Sequence, residues 1–297
     1  MAKNFGENER RILSYFKEGT HFSLEGQEYV VILAGKPTCN YGEPKTDIYI
    51  LAETSTSGRK EIKISFKQQN ADFLENKTNA ERAEQLFGSQ WQSIISQSTK
   101  QLIDEFCTRP LIFKHSYKRT QAGSITLGWK FEILNVKSGA LSGTLALSIP
   151  QLIDVYSGSN LSLDKRNALV KNHVIADSGV ANYILFENNR LCNAQDVIGS
   201  LNTVDSYVHN NPEVYFACKA LNYRSYEYKY DGNRPLAVMV YWFVRNGKLA
   251  YKLVFDEPLI HGGNQTYNYL RTAMSQLGVK TVDDLNEENV EDRSIIN

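Results

Sequence analysis

The sequence predicts an α/β fold with a mixed central β-sheet, flanking helices and additional β-hairpins. Apolar and polar residues alternate over 48–52 and again over 62–66, which is the period of half-buried strands. Apolar residues recur at helical spacing between 79 and 106. Further along, Asn246-Gly247 joins two alternating segments, and this dipeptide strongly favours a two-residue hairpin turn. Strands and helices interspersed in this way are typical of the α/β class.

The length and charge are those of a globular protein without a strong electrostatic field. The chain has 297 residues, enough for one elaborated domain or for a core with a smaller lobe. Its 33 Lys and Arg residues balance 33 Asp and Glu residues, so the formal net charge is zero. A nonspecific DNA binder carries a global basic field, so affinity for DNA would have to come from a local groove.

Cysteine, histidine and hydrophobic patterns exclude several other classes. The cysteines show no paired spacing and the five histidines form no zinc pattern, so we expect reduced, structural thiols at Cys39, Cys107, Cys192 and Cys218. No apolar run approaches the length of a transmembrane helix, and the first residues lack a secretory core. The expected compartment is the cytoplasm.

The first elements lead to a lone acid. Residues 8–17 predict a short helix with Glu7 and Glu9 at its start, where acidic side chains favour the helix dipole. Residues 22–33 predict a hairpin that turns at Glu25-Gly26-Gln27. The loop 35–46 then leads to Asp47, which opens the next strand.

The strand after Asp47 turns back and ends in Ser65-Phe66-Lys67. Antiparallel partners share a face, so the apolar sets meet only when the numbers of paired residues add to an even sum. A loop of residues 56–58, with Gly58 in the left-handed conformation, pairs Asp47 with Lys67. The next allowed register pairs Asp47 with Ser65. Both place Asp47, Tyr49, Ser65 and Lys67 on one face at the same end.

These residues resemble the PD-(D/E)XK nuclease superfamily, especially type II restriction endonucleases, over roughly residues 1–100. Members place an Asp at the start of one strand and an acid-x-Lys triplet on its neighbour, and they bind magnesium against the scissile phosphate. Asp47 matches the first acid. Two triplets could provide the second match. Glu61-Ile62-Lys63 has the acid-x-Lys sequence, whereas Ser65-Phe66-Lys67 has the register that brings it to Asp47. We favour the second, because Glu61 lies at least four positions, or about 13 Å, along the strand from Asp47.

The resemblance also implies a displaced acid. A restriction-enzyme subgroup carries Ser in the triplet and takes the missing carboxylate from a helix about fourteen residues after the Lys, which here is Glu81. Asp47 and Glu81 would then bind Mg²⁺, Lys67 would orient water or stabilise charge, and Ser65 would add a hydrogen bond. An acid on the first helix sometimes supports the metal in this family. The chain departs from the family's sequence motif, because Pro44 is three residues before Asp47 rather than adjacent to it.

Each of these residues also has a purely structural interpretation. Asp47 is typical of a turn, and Lys63 and Lys67 are typical of a solvated hairpin face. The run 78–81 fits a capping box in which Glu81 reaches back to a Thr78 N-cap. The other acids available for the second metal ligand are Glu61, Glu75 and Glu84.

The remaining chain predicts further hairpins and a basic surface. Residues 111–132 form a predicted hairpin with a basic tip of the kind that contacts phosphates or base edges: Lys114, His115, Lys118 and Arg119. An ordinary charged hairpin end explains the same residues. Arg224 alternates with three tyrosines on a predicted strand, a pattern that stacks on bases or forms a covered sheet face.

Small-residue loops between 137 and 163 predict a lobe boundary. The first segment, 1–137, would be the catalytic core. The second, 138–297, would complete the domain or form a lobe whose hairpins serve DNA contact or dimerisation.

The resemblance implies a restriction-endonuclease-like core that hydrolyses double-stranded DNA sequence-specifically with Mg²⁺, as a homodimer without membrane or nucleotide cofactor. Two active sites related by a two-fold axis would cut both strands of a palindrome. The alternatives are a structure-selective or repair nuclease of the same superfamily, and a non-catalytic DNA-binding or interaction protein.

Overall fold

The computed structural model describes residues 5–40, 42–56, 58–67, 73–76, 78–187 and 190–297. These residues form two compact units. Unit 1 comprises the described residues of segments 1–72 and 147–212, and unit 2 comprises those of 73–146 and 213–297. Both units combine strands with helices, so the predicted mixed α/β class with helix-flanked sheets is confirmed.

The elements of the described chain are as follows. The helices are α1 (Phe5–Ser14), α2 (Ala80–Phe87), α3 (Trp91–Lys100), α4 (Ile103–Cys107), α5 (Ile149–Ser157), α6 (Leu163–Arg166), α7 (Ala194–Gly199), α8 (Val204–Asn210) and α9 (Gly263–Gln276). The strands are β1 (His21–Leu24), β2 (Gln27–Gly35), β3 (Ile48–Glu53), β4 (Arg59–Lys67), β5 (Phe73–Glu75), β6 (Ile112–Phe113), β7 (Ser124–Leu134), β8 (Ser142–Leu145), β9 (Leu169–Val170), β10 (His173–Val174), β11 (Tyr183–Phe186), β12 (Asn202–Thr203), β13 (Val214–Arg224), β14 (Lys229–Tyr230), β15 (Val238–Arg245) and β16 (Lys248–Val254). Short 3₁₀ turns cover Gly88–Gln90, Val282–Asp284 and Arg293–Ile295.

Unit 1 is built on a mixed sheet with the strand order β1-β2-β3-β4-β11-β12. Successive strands from β1 to β4 pair antiparallel, whereas β11 runs parallel to β4. The chain leaves unit 1 after β4 and returns to it as α5 before it reaches β11. The apolar side chains of β2, β3 and β4 form one core with Ile12 of α1, Phe16 just after α1 and Val197 of α7.

The β3–β4 hairpin has the even-sum register that alternation predicts, but its offset differs from the one expected from the turn. A loop of residues 56–58 would place Asp47 opposite Lys67, and that prediction is wrong. The Thr54 N–H donates to the Gly58 carbonyl at 2.8 Å, and the Gly58 N–H donates to Thr54 Oγ1 at 3.0 Å. The strands therefore close one pair earlier, and Gly58 is paired rather than left-handed. The last pair at the other end is Ile48 with Ile64, so the same offset carried one residue further would bring Asp47 level with Ser65.

Unit 2 is built on a larger sheet with the path β14-β13-β7-β15-β16, with β5 and β6 added at β7 and β8 at β13. The predicted Asn-Gly hairpin is confirmed: Arg245 pairs with Lys248, and Asn246 and Gly247 both have positive φ. The predicted hairpin over 111–132 corresponds to β6 and β7, where Ile112 pairs with Ile125. The helical segment predicted for 79–106 is also confirmed, with its break at Gly88–Gln90.

The unit boundaries fall after residues 72, 146 and 212. The crossing at 146 lies in the loop-rich stretch 137–163 that the sequence indicates. The division predicted at 137/138 itself lies inside unit 2, between β7 and β8, and residues 147–212 belong to unit 1. Each unit therefore contains two separate segments of chain.

The continuous strand predicted for the tyrosine-rich stretch after Arg224 is not formed. β13 ends at Arg224, residues 225–228 form a turn, and Tyr228 has a φ of 51°. Because this turn interrupts the alternation, the tyrosines do not share one strand face.

Within the described ranges, each helix is too short or too polar to traverse a bilayer.

Candidate functional site

Asp47 is held at the start of β3, against the end of β4. Its N–H donates to the Ile64 carbonyl at 2.8 Å, at the end of the β3–β4 ladder, where Ile64 is also the partner of Ile48. One carboxylate oxygen, Oδ2, accepts a hydrogen bond from the Phe66 N–H at 2.7 Å. This charge-assisted bond fixes the carboxylate beside the backbone that carries Ser65 and Lys67. The sequence thus places Asp47, Ser65 and Lys67 together through the hairpin register.

The electrostatic surroundings of Asp47 are those of a partly desolvated acid between charges of both signs. Burial raises the pKa of Asp47 to about 6, and the Glu9 carboxylate acts in the same direction. The Lys67 ammonium, the Phe66 N–H and the Lys36 ammonium lower it, but their combined effect is smaller. One carboxylate, on α1, and two ammonium groups, on β4 and just after β2, therefore act electrostatically on Asp47.

Glu9 and Lys36 form an ion pair on this side of the site. Glu9 lies in the first half of α1, and Lys36 follows the end of β2. Burial lowers the pKa of Lys36, but its hydrogen bond to Glu9 and the charges of Glu9 and Asp47 outweigh burial and raise it. Both carboxylates thus stabilise the same ammonium.

Two hydroxyl groups beside Asp47 are buried. Ser65 is 1% exposed, and its Oγ makes no hydrogen bond to the described residues. Thr46 Oγ1 is in the same condition, although the backbone N–H groups of Lys45 and Thr46 both donate to the Gly179 carbonyl. A buried hydroxyl without a partner costs about 1–3 kcal/mol, so this end of the hairpin carries two unsatisfied polar groups.

Glu61 and Lys63 belong to a different cluster on β4. Tyr49 donates to Glu61 Oε1 at 2.5 Å, and Lys63 Nζ lies 3.6 Å from Glu61 Oε2. Burial and the Glu61 carboxylate both raise the pKa of Tyr49. Glu61 faces Leu51 across the hairpin, four positions from Asp47. The register therefore agrees with the prediction that Glu61 is displaced from Asp47.

Glu81 lies in unit 2, as the second residue of α2, and is exposed. Gln85 Nε2 donates to Glu81 Oε1 at 3.3 Å. The predicted Thr78 capping box is wrong, because the N-cap is Asn79, whose side chain accepts from the Arg82 N–H at 2.8 Å. Assignment of Glu81 to the metal stays a prediction, as it does for Glu75 and Glu84. Glu75 binds the Arg82 guanidinium through two hydrogen bonds, and Glu84 is exposed on α2.

The predicted DNA-contacting residues of unit 2 have different surroundings. Lys118 and Arg119 line a groove, described below. The backbone N–H of Lys114 donates to the Asn297 carbonyl, and the carbonyl of His115 accepts from the Asn297 side chain. Arg224 binds Asp231 at 2.6 Å and Glu227 at 3.4 Å, so its guanidinium is engaged in ion pairs within the sheet edge.

Lys36 is absent from the residues that the sequence singles out, and Glu9 enters there only as a first-helix acid. The tertiary fold of unit 1 brings both within electrostatic range of Asp47. Glu9 is separated from Ile12 by about one helical turn, so burial of Ile12 in the core turns this side of α1 toward the sheet. That amphipathic spacing is the one sequence signal that would have favoured Glu9 over Glu7.

Asp47→Asn is expected to raise the free energy of unfolding at pH 8 in EDTA. The folded pKa of about 6 exceeds the ordinary 3.8, so the native state binds more protons between these values and loses stability as pH rises through them. Above pH 7 the ionised carboxylate therefore destabilises the fold by about 1–3 kcal/mol, which Asn avoids. Denaturant unfolding should show this gain at pH 8 and little gain at pH 4.

Glu84→Gln serves as the matched control, because Glu84 is exposed on α2 and its replacement should change the free energy of unfolding little. Equal destabilisation by Asp47→Asn at both pH values would contradict the assigned environment of Asp47.

Comparison with family models, curated proteins and solved structures gave no match to this chain. In the described ranges, no three His, Cys, Asp or Glu side chains group as a metal site. Asp47 and Glu9 nevertheless supply two hard oxygen donors. Magnesium is commonly held by one or two carboxylates together with substrate phosphate, so these donors are of the type that this ion takes.

Proposed function

We propose that the chain is a Mg²⁺-dependent endonuclease that hydrolyses phosphodiester bonds in double-stranded DNA, with its active site at Asp47. The observation that carries this proposal is the hydrogen bond from the Phe66 N–H to Asp47 Oδ2. It joins the strand-opening acid to the Ser65-Phe66-Lys67 triplet, which is the arrangement that the resemblance to PD-(D/E)XK nucleases implies. The mixed sheet of unit 1 would be the restriction-endonuclease-like core.

Asp47 and Glu9 would hold the metal. Their mutual repulsion and the burial of Asp47 both oppose ionisation of Asp47, and a bound cation would favour the ionised form. When bound, magnesium would act as a Lewis acid and neutralise charge on the scissile phosphate. In this proposal Glu9 replaces Glu81 as the second acid, since Glu9 belongs to the same unit as Asp47.

Lys67 would act on the attacking water and on the phosphate. An ammonium at this position orients water and stabilises the negative charge that develops on the phosphate oxygens. Lys36 would hold Glu9 in place through their ion pair. Ser65 Oγ, buried and without a partner among the described residues, would donate one hydrogen bond to a phosphate oxygen or to water.

A cytoplasmic homodimer that recognises a palindromic site is part of the proposal, because two identical sites related by a two-fold axis cut both strands.

Incubation with supercoiled plasmid and Mg²⁺ is expected to give discrete linear fragments, and EDTA should abolish them. A matched reaction with Ca²⁺ tests binding without cleavage. A smear, or nicking confined to branched or mismatched DNA, would replace the restriction activity with a structure-selective one. An intact plasmid with Mg²⁺, Mn²⁺ and Co²⁺ would refute the nuclease proposal.

A further inference from the structure

Unit 2 contains a groove of about 570 Å³ that the Asp47 site does not use. It runs between the end of α4, the turn that follows β6, and strands β7 and β13. Ligand sites usually measure about 300–1,000 Å³, so one nucleotide fits this volume.

The groove is strongly cationic although the whole chain is neutral. Four basic side chains line it, Arg109, Lys118, Arg119 and Lys219, with one carboxylate, Glu105. A concave surface lined by one sign of charge focuses the field and concentrates ligands of opposite charge. The ligand chemistry that this groove selects is therefore anionic.

The Arg109 guanidinium has one donor, Nε, for which the described residues offer no acceptor. Its Nε is buried and makes no hydrogen bond to the described residues. A buried cationic donor without an acceptor is costly, and arginine pairs especially well with phosphate oxygens. Arg109 also lines the groove, so its guanidinium belongs to the positively charged surface that an anion would meet.

Lys118 occupies a backbone conformation that favours glycine. The Tyr117 and Thr120 backbones exchange two hydrogen bonds of 2.9 Å, and Lys118 stands in the turn between them with a φ of 52°. A side chain at positive φ is destabilising relative to glycine. The turn therefore presents the Lys118 side chain to the groove at a cost in backbone energy.

The groove also contains an aromatic surface. Tyr117 is 40% exposed, its ring stacks on Phe113, and Lys118 Nζ lies 5.1 Å from its centroid. Contacts to the outer phosphates of a duplex need cations but no aromatic ring. A positively charged groove with an exposed ring is instead typical of sites that stack an unpaired base.

We infer that this groove binds one unpaired nucleotide of a nucleic-acid strand, with the phosphate on the basic side chains and the base against Tyr117. The inference rests on the proposed function in taking nucleic acid as the partner. It is independent of the Asp47 site, because none of that site's residues lines the groove.

The test is fluorescence anisotropy in EDTA with a labelled single strand of about 12 nucleotides, within the usual site size of such grooves. Tyr117→Ser should weaken binding about tenfold or more by removing the stacking surface. Arg119→Gln should weaken it about fivefold through loss of a phosphate contact. A fully paired duplex of the same sequence should bind more weakly and respond little to Tyr117→Ser.

Lys118→Gly separates binding from folding. It should raise the Tm by about 2 °C because the turn loses its strain, and yet weaken binding of the single strand about fivefold. Lys171→Gly is the matched control: Lys171 has a φ of 46° on the β9–β10 turn but does not line the groove. This variant should gain stability and bind normally.

Several outcomes would overturn the inference. Unchanged single-strand affinity in the Tyr117, Lys118 and Arg119 variants would refute it. Equal weakening of the duplex would reduce the groove to a phosphate contact. Competition by dTMP as strong as that of the strand would make a free nucleotide the ligand. Wild-type protein that cleaves plasmid but does not bind the single strand would overturn this inference alone. Wild-type protein that binds the strand but cleaves nothing would overturn the proposed function alone.

Discussion

Asp47→Asn and Lys67→Met are each expected to abolish Mg²⁺-dependent DNA cleavage, with losses of about a thousandfold or more. Asn keeps the acceptor for the Phe66 N–H but removes the charge that would hold the metal. Met keeps most of the length of Lys67 but removes the ammonium that would stabilise the phosphate, and loss of one such group typically slows a reaction about 10²- to 10³-fold. Single-turnover cleavage of a plasmid measures both effects.

Lys63→Met is the matched control for Lys67→Met. Lys63 lies on the same strand and the same face, but its ammonium pairs with Glu61. Its rate should stay within a few-fold of wild type, whereas the competing assignment to Glu61-Ile62-Lys63 requires Lys63→Met to be inactive. Full activity of either Asp47→Asn or Lys67→Met would remove the proposed site. Misfolding would not explain a loss of cleavage in Asp47→Asn, because that variant is expected to be more stable than the wild type at neutral pH.

Glu9→Gln is expected to reduce cleavage about a hundredfold and to weaken Mg²⁺ binding, while Glu81→Gln stays near wild type. Glu9 is the carboxylate that acts on Asp47 within unit 1, and Gln removes its charge without changing its length. Calorimetric titration with Mg²⁺ at pH 8 measures binding separately from turnover. The Mg²⁺-induced rise in Tm should shrink in Glu9→Gln and remain in Glu81→Gln, since binding to the native state alone stabilises it.

Glu7→Gln is the matched control for Glu9→Gln, because it removes the same charge from the start of the same helix, α1. An inactive Glu81→Gln together with an active Glu9→Gln would return the second acid to α2. If Glu61→Gln is inactive while Glu9→Gln and Glu81→Gln are active, the triplet of the site is Glu61-Ile62-Lys63.

Alternation predicts which faces of β3 and β4 meet, and the structure has those faces together. The offset between the strands depends on one pair at the turn, where the Thr54 hydroxyl accepts from the Gly58 N–H. A Gly in a short loop favours the left-handed position, and that local rule competes with a side-chain hydrogen bond of similar strength. The sequence therefore predicts the partners of Asp47 to within one allowed step.

The second acid is harder to predict because it depends on tertiary packing. Glu9 is separated from Asp47 by a hairpin and a loop, and only the docking of Ile12 and Phe16 against the sheet brings α1 to this end. Glu81 lies at a helix start where Thr78 and Asn79 are both good N-caps, and the choice of Asn79 shifts every position of the first turn. Spacing along the chain does not resolve such alternatives.

Between β4 and β11 the chain passes through unit 2, and this affects the order in which the site forms during folding. The Asn182 side chain accepts from the Lys63 N–H across a separation of 119 residues, next to the parallel pairing of β11 with β4. Pairings this distant close late, because the entropy of a long loop is lost before its contacts form. We expect β4 to remain an edge strand during synthesis until β11 has left the ribosome. The Lys67 end of the site would then be completed late in the folding of unit 1.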